Sequence, residues 1–344
     1  LPALSYYFYP FTCRDNTIWH FIVPVFFTAK FAAALGSLTS KSCGHIFFIN
    51  LGVKMLGTTV ALVTPFRDDY SINEDEWVRQ LERHRSAGTN CLLPCGTTGE
   101  TPTLTDREKE RIIRLAVEQR GSGQSVMAGS GSNNTDATVA ATKKLADFGV
   151  DYALVITPYY NKPNQEGLYR HFMTVLEASP LPVVLYNVPG RTGVNLLPQT
   201  LLRLAAHEKL VAIKEASGDL MQIAEMVRLC GDQLHLLSGD DGLNLPILSV
   251  GGRGVVSVAA NVVPERLRQL TDAAAADDWA IARRLHLDLL PLTRALFIES
   301  SPIPTKVALH LLGYNPGPVR LPLGPPSETT EAEIHATLRA MKLI

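Results

Sequence analysis

The sequence predicts a (β/α)8 TIM barrel, an α/β fold, followed by a C-terminal helical appendage. Three observations lead there. Continuous apolar runs such as Tyr152-Ala153-Leu154-Val155-Ile156 recur from residue 57 onward, as strands buried on both faces of a parallel sheet require. Amphipathic helical patterns separate these runs, and eight strand–helix units in succession fit one closed barrel better than two nucleotide-binding halves. No G-x-G-x-x-G or G-x-x-x-x-G-K-[ST] follows a strand, which removes the phosphate loop those halves would need.

The strands are read at 58–63, 90–94, 125–129, 152–157, 183–186, 211–214, 234–238 and 254–258. Helix ends between them are marked by chemistry. Thr105-Asp106-Arg107-Glu108 has capping-box spacing, and Ile112, Leu115 and Ala116 then supply one apolar side. A helix from 135 ends against Gly149, a residue suited to a helix stop. After the eighth strand the pattern is all-helical, at 264–275, 278–297 and 304–312. A link containing Pro316, Pro318, Pro322, Pro325 and Pro326 precedes a last helix near 330–341. The expected organisation is an atypical segment at 1–54, a catalytic barrel at 55–275 and a helical region at 276–344.

Residues 1–54 are rich in aromatics and hold one acid, Asp15. The stretch 18–38 is apolar, but His20, Pro24 and Lys30 interrupt it before it reaches the roughly 20 residues of a membrane span. Arg14 is the only arginine, so the arginine-rich pattern of a transit peptide is missing. The favoured reading is translated sequence upstream of Met55; a targeting or anchoring segment is the other, and a plastid address would follow only from a transit peptide. No chemistry is assigned there.

Apolar content of 46 % and charged content of 19 % are those of an ordinary globular chain. A formal net charge of −1 gives no electrostatic drive toward nucleic acid or an anionic membrane. The five cysteines are scattered and odd in number, which fits reduced thiols in a cytoplasmic setting rather than a disulfide framework. The histidines never make a metal-ligand spacing such as H-E-x-x-H. Asp240-Asp241 is read as loop capping rather than a cation site.

Four polar clusters fall at strand ends, where a (β/α)8 barrel opens its active site. Cys95-Gly96-Thr97-Thr98-Gly99-Glu100 can cradle an anion with backbone N–H groups and two hydroxyls, or simply turn the chain. Thr157-Pro158-Tyr159-Tyr160-Asn161-Lys162-Pro163 offers phenols for loop packing, an oligomer contact or proton relay. In Tyr186-Asn187-Val188-Pro189-Gly190-Arg191-Thr192-Gly193, the arginine fork suits a substrate carboxylate or a surface salt bridge. Lys214 ends the buried run Val211-Ala212-Ile213. An ammonium there needs a partner such as Glu215, or a lowered pKa that makes it an amine nucleophile. Together the four clusters fit Schiff-base chemistry on a 2-oxo acid.

These motifs, with Ile213-Lys214-Glu215-Ala216-Ser217-Gly218 and Ser238-Gly239-Asp240-Asp241, resemble the dihydrodipicolinate synthase family of the pyruvate-dependent class I aldolase superfamily, over residues 57–312. The resemblance implies condensation of pyruvate with L-aspartate 4-semialdehyde to 4-hydroxy-tetrahydrodipicolinate, the first committed step toward diaminopimelate and lysine. It implies that Lys214 forms the imine, that Tyr186 is the acid/base, and that Thr98 and Tyr160 complete a proton relay, Tyr160 reaching in from a neighbouring subunit. Thr97 and Thr98 would hold the pyruvate carboxylate, Arg191 that of the semialdehyde, and the backbone of Gly239 and Val256 would line the imine pocket. No cofactor and no metal are implied, and a homotetramer of tight dimers is. At the lysine-feedback site of inhibited members, this chain matches Asn133 and Tyr159 but has Asp106, Lys109 and Ala137 at other effector positions, so inhibition is expected to be weak or absent. The nearest alternative is a sibling aldolase acting on N-acetylneuraminate or a 2-keto-3-deoxy sugar acid, disfavoured by Arg191. A non-catalytic ligand-binding paralogue is disfavoured by the full set of reactive residues.

Overall fold

Alternation of side-chain direction along each strand decides how the barrel fills. In a computed structural model, which describes residues 57–344 and the two-residue antiparallel strands Phe11–Thr12 and Ile18–Trp19, the eight predicted strands are β1 (Gly57–Ala61), β2 (Cys91–Leu93), β3 (Ser125–Gly129), β4 (Tyr152–Ile156), β5 (Val183–Asn187), β6 (Leu210–Glu215), β7 (His235–Ser238) and β8 (Gly254–Ser257). They pair in parallel in sequence order, and β8 closes on β1. One parity packs the interior: Ala61, Leu93, Met127, Leu154, Val184, Ala212, Leu237 and Val256 form a single cluster. The other parity, including Val60, Leu92, Val126, Val183, Leu185 and Ile213, meets the helices outside. Burying each such Leu or Ile contributes about 1.5–3 kcal/mol.

The chain divides into two units, Leu1–Phe47 and Phe48–Ile344. Apart from the strand at its start, the apolar stretch 18–38 lies outside the described residues. Among the described residues, no helix is long and apolar enough to cross a membrane.

Helices α1 (Glu74–Ser86), α2 (Asp106–Gln119), α3 (Thr135–Asp147), α4 (Gln165–Ala178), α5 (Pro198–Ala205), α6 (Leu220–Cys230), α7 (Asn244–Ser249) and α8 (Pro264–Ala275) follow the strands in turn. The capping box at Thr105 forms as its spacing predicts: the Thr105 hydroxyl accepts from Glu108 N–H, and Glu108 accepts from Thr105 N–H at 2.8 Å. Three further helices form the appendage, α9 (Trp279–Leu296), α10 (Ile303–Leu311) and α11 (Glu328–Ala340). Their apolar sides, including Leu292, Leu296, Ala308, Ile334 and Leu338, share one core with the barrel's Val60, Leu92 and Val255. The link after α10 returns to the barrel, where Phe66 N–H donates to Pro316 C=O at 3.1 Å. Gly317 adopts φ 64 there, and a Cβ on it would lie 1.8 Å from Phe66 O, so only glycine fits.

Candidate active site

Register brings the two central groups together. Between β5 and β6 the ladder shifts at Val183/Val184, so Val183 faces Leu210 while Val184 faces Ala212. The bulge takes up Val211 as an extra residue on β6, so that Val211 and Ala212 both join the interior cluster, and beyond it the two strands run in step residue for residue. Ala212 and Lys214 consequently share the barrel interior with Val184 and Tyr186, and Tyr186 pairs directly with Lys214. The Lys214 ammonium nitrogen stands 4.0 Å from the Tyr186 ring centroid.

Lys214 is buried, 6 % exposed. Loss of hydration pulls its pKa down to about 7; the carboxylate of Asp241 opposes this and the guanidinium of Arg191 adds to it. Among the described residues no carboxylate lies within ion-pair distance of Lys214. Glu215, its neighbour in sequence, points elsewhere: its carboxylate accepts from Asn187 Nδ2 at 3.0 Å and from Ser217 N–H at 2.7 Å. The lysine therefore has a lowered pKa and no structural ion pair with Glu215. Burial pushes the Tyr186 phenol up to about 12, against the pull of Arg191 and a hydrogen bond with Thr97. The pair is thus set apart at neutral pH, one group able to shed its proton and the other holding its own.

Of the remaining predicted residues, Thr97, Arg191, Gly239 and Val256 lie around this pair. Thr97 and Thr98 lie in a single helical turn after β2, Thr98 buried and Thr97 partly exposed. Arg191 sits exposed on the turn Pro189–Thr192, close enough for its charge to act on both Lys214 and Tyr186. Gly239 makes room for the lysine stem: a Cβ there would lie 3.0 Å from Lys214 Cγ and Cε. Val256 belongs to the interior cluster that includes Tyr186. Tyr160 differs from the rest, 89 % exposed with its backbone at φ 72. Within one chain it presents its phenol outward.

Asp240 and Asp241 act as caps. Asp240 accepts from Gly242 N–H at 2.9 Å, and Asp241 accepts from the N–H groups of Val258 and Ala259 at 2.8 and 2.9 Å. These bonds tie the ends of β7 and β8 together beside the lysine. Among the described residues no cluster of three or more His, Cys, Asp or Glu side chains is placed to hold a metal ion.

Sequence reasoning missed the bonds that lock β5 to β6. Asn187 donates to Glu215 and to Asn195 Oδ1 at 2.8 Å, its own Oδ1 accepts from Leu196 N–H at 2.9 Å, and Asn195 donates to Gln222 at 2.7 Å. The only advance signal was an amide directly after Tyr186 at a strand end. Glu100 closes the anion-cradle motif in sequence, but its carboxylate faces the appendage, 2.7 Å from Lys306 Nζ.

The profile of the dihydrodipicolinate synthetase family matches residues 54–341. The chain belongs to that family. It is 48 % identical over 288 residues to the 4-hydroxy-tetrahydrodipicolinate synthase of Citrifermentans bemidjiense, covering 84 % of this chain and 99 % of the relative. The dihydrodipicolinate synthase structure from Aquifex aeolicus superposes with a TM-score of 0.81 at 41 % identity, over 84 % of this chain and 98 % of that one. The Thermotoga maritima dihydrodipicolinate synthase gives a TM-score of 0.83 at 38 % identity, over 85 % of this chain and 100 % of that one. The barrel with its C-terminal helices is therefore the dihydrodipicolinate synthase fold.

Proposed function

We propose that Lys214 carries the covalent chemistry of a family whose reaction condenses pyruvate with L-aspartate 4-semialdehyde to 4-hydroxy-tetrahydrodipicolinate, a lyase step toward diaminopimelate and lysine. The observation that supports this reading is the buried amine with a pKa near neutrality, 4.0 Å from a buried phenol ring at adjoining strand ends. The neutral amine adds to the pyruvate carbonyl and water leaves, giving the imine. Loss of a C3 proton converts the imine to an enamine, and the enamine attacks the aldehyde carbon. The new alkoxide takes its proton through Tyr186, Thr98 and Tyr160. The substrate's own amine then displaces Lys214 from the imine carbon, closing the ring and freeing the enzyme. The imine is the electron sink, so the chemistry calls for no resident cofactor.

Thr97 and Thr98 offer hydroxyls to the pyruvate carboxylate, beside the backbone of Gly239 and Val256. Arg191 receives the carboxylate of the semialdehyde. On this assignment Arg191→Met raises KM for aspartate semialdehyde about 10–100-fold, the worth of a charge-assisted bidentate contact, while KM for pyruvate stays within about threefold. Steady-state kinetics with each substrate varied decides it. Equal rises in both constants, or turnover of N-acetylneuraminate in place of the semialdehyde, would reject the assignment.

Tyr160 enters the site from a second copy of the chain, in a homotetramer built from tight dimers. Its 89 % exposure, beside Tyr159 at 41 %, offers apolar surface for such a contact. The free, buried thiols of Cys91, Cys95 and Cys230 fit a reducing, cytoplasmic compartment. At the feedback position, Asp106 and Lys109 pair with each other at 3.7 Å and Ala137 has no polar group to offer. L-lysine is therefore expected to inhibit weakly or not at all. A titration showing strong inhibition at sub-millimolar lysine would overturn that expectation.

A further inference from the structure

The turn that carries Thr97 and Thr98 is gripped from outside the barrel. Glu100 closes it at φ 54, a left-handed conformation unusual for a residue with a side chain. Its N–H donates to Thr97 C=O at 3.1 Å, and its C=O accepts from Thr103 N–H at 2.9 Å. Its carboxylate leaves the mouth and enters the junction with the appendage. Oε1 lies 2.7 Å from Lys306 Nζ, and Oε2 accepts the Arg320 backbone N–H at 2.8 Å.

Lys306, on α10, is itself fully committed. Its ammonium donates to Pro318 C=O at 2.7 Å and lies 4.4 Å from the Phe66 ring centroid. The side chains of Lys306 and Glu100 are 4 % and 0 % exposed. On the other side of the turn, Thr64 donates its hydroxyl to Gly99 C=O at 2.7 Å. The Arg320 guanidinium then fixes the next residues, donating to Thr103 C=O at 2.9 Å and to Glu108 Oε2 at 3.0 Å.

Burying an ion pair is a poor route to stability, because desolvating both ions offsets most of their attraction. What a buried pair does supply is one orientation, and catalytic groups need placement to within about 0.5 Å. Glu100 stands two residues from Thr98 and three from Thr97, and the Thr97 hydroxyl also bonds Tyr186. A displaced Glu100 carries both hydroxyls with it.

We propose that Lys306 is a positioning residue for the carboxylate of the 2-oxo acid, holding Glu100 and through it the Thr97–Thr98 turn. The proposal rests on the assignment of those two hydroxyls to the pyruvate carboxylate. It gives the helical appendage a part in substrate binding although Lys306 does not touch the reacting atoms.

The test compares wild type with Lys306→Met, Lys306→Arg and the double variant Lys306→Met/Glu100→Gln, each checked for folding by circular dichroism. Lys306→Met should raise KM for pyruvate about 10–100-fold, the scale of a small misplacement of a binding group. KM for aspartate semialdehyde should stay within about threefold, kcat should fall by about tenfold because Thr98 also serves the proton relay and Thr97 bonds Tyr186, and Lys306→Arg should recover most of both losses. A folded Lys306→Met with pyruvate KM within about twofold of wild type overturns the proposal, as does an equal change in all three constants. If Lys306→Met fails to fold, the double variant, which leaves no buried charge unpaired, is judged by the same criterion. Failure of both to fold assigns the pair to stability alone and rejects a positioning role. Borohydride trapping of pyruvate separates the two levels of the argument. Trapping on wild-type Lys214 with an unchanged Lys306→Met KM rejects Lys306 only, whereas no trapping on wild type rejects the site assignment and this proposal with it.

Discussion

Borohydride reduction in the presence of pyruvate should attach one pyruvyl group to the chain, on Lys214, and Lys214→Arg should remove both the adduct and the turnover. Arginine keeps the positive charge but stays protonated in proteins, so it has no free amine to add to a carbonyl. The loss in kcat should be at least about 10³-fold, as expected when a covalent step is deleted and only binding and general acid–base groups remain. The same lysine sets the pH dependence. With a pKa of about 7, Lys214 is mostly ammonium below neutrality and mostly amine above it. Because the amine is the reactive form, kcat/KM for pyruvate should rise about tenfold per unit of pH below 7 and level off above it. Arg191 presses that pKa down by like-charge repulsion, so Arg191→Met should move the levelling point to higher pH. Peptide mapping that finds the adduct on another lysine, or a profile that rises only near the ordinary lysine pKa of about 10.4, would reject Lys214 as the nucleophile.

What made Lys214 legible was contrast: a charge closing an apolar run, with other polar clusters at other strand ends. The strands were readable for the same reason, since a strand buried on both faces cannot hide among polar residues. Boundaries slipped where a polar residue belongs to the strand. Glu215 reads as loop, yet it pairs with Asn187 and Ser238 in the ladder, because Asn187 and Ser217 satisfy its carboxylate. The helix ends with side-chain caps, such as Thr105, were visible because both halves of the bond lie within three residues of each other. Glu100 was not, since the Arg320 N–H that accompanies Lys306 on its carboxylate is 220 positions away. Nothing in a local window distinguishes a carboxylate that faces a substrate from one that faces a distant helix. The bulge at Val183/Val184 is equally silent in sequence, although it decides that Lys214 and Tyr186 face each other.

Tyr160 carries the other large expected effect, and a mixing experiment isolates it. The phenol lies on the exposed side of its own chain, so the proposed relay draws it from a partner copy. Tyr160→Phe should lower kcat about 10²–10⁴-fold, the usual worth of a positioned proton donor, while leaving pyruvate trapping on Lys214 intact. Lys214→Arg lacks the nucleophile but keeps a sound Tyr160 to lend. In a two-fold dimer each subunit gives what it receives, so one site of a Tyr160→Phe/Lys214→Arg mixed dimer combines a good lysine with a good tyrosine, and the other site has neither. Two variants that are each nearly inactive should therefore recover about one quarter of wild-type activity after dissociation and reassociation at equal amounts. If Tyr160 instead served its own chain, every site in the mixture would lack one group and no activity would return. Equilibrium sedimentation accompanies the assay, because a monomer with full activity would equally reject the cross-subunit role. Recovery that follows the mixed-dimer population, measured with differently tagged chains, ties the restored activity to the shared site rather than to trace wild type.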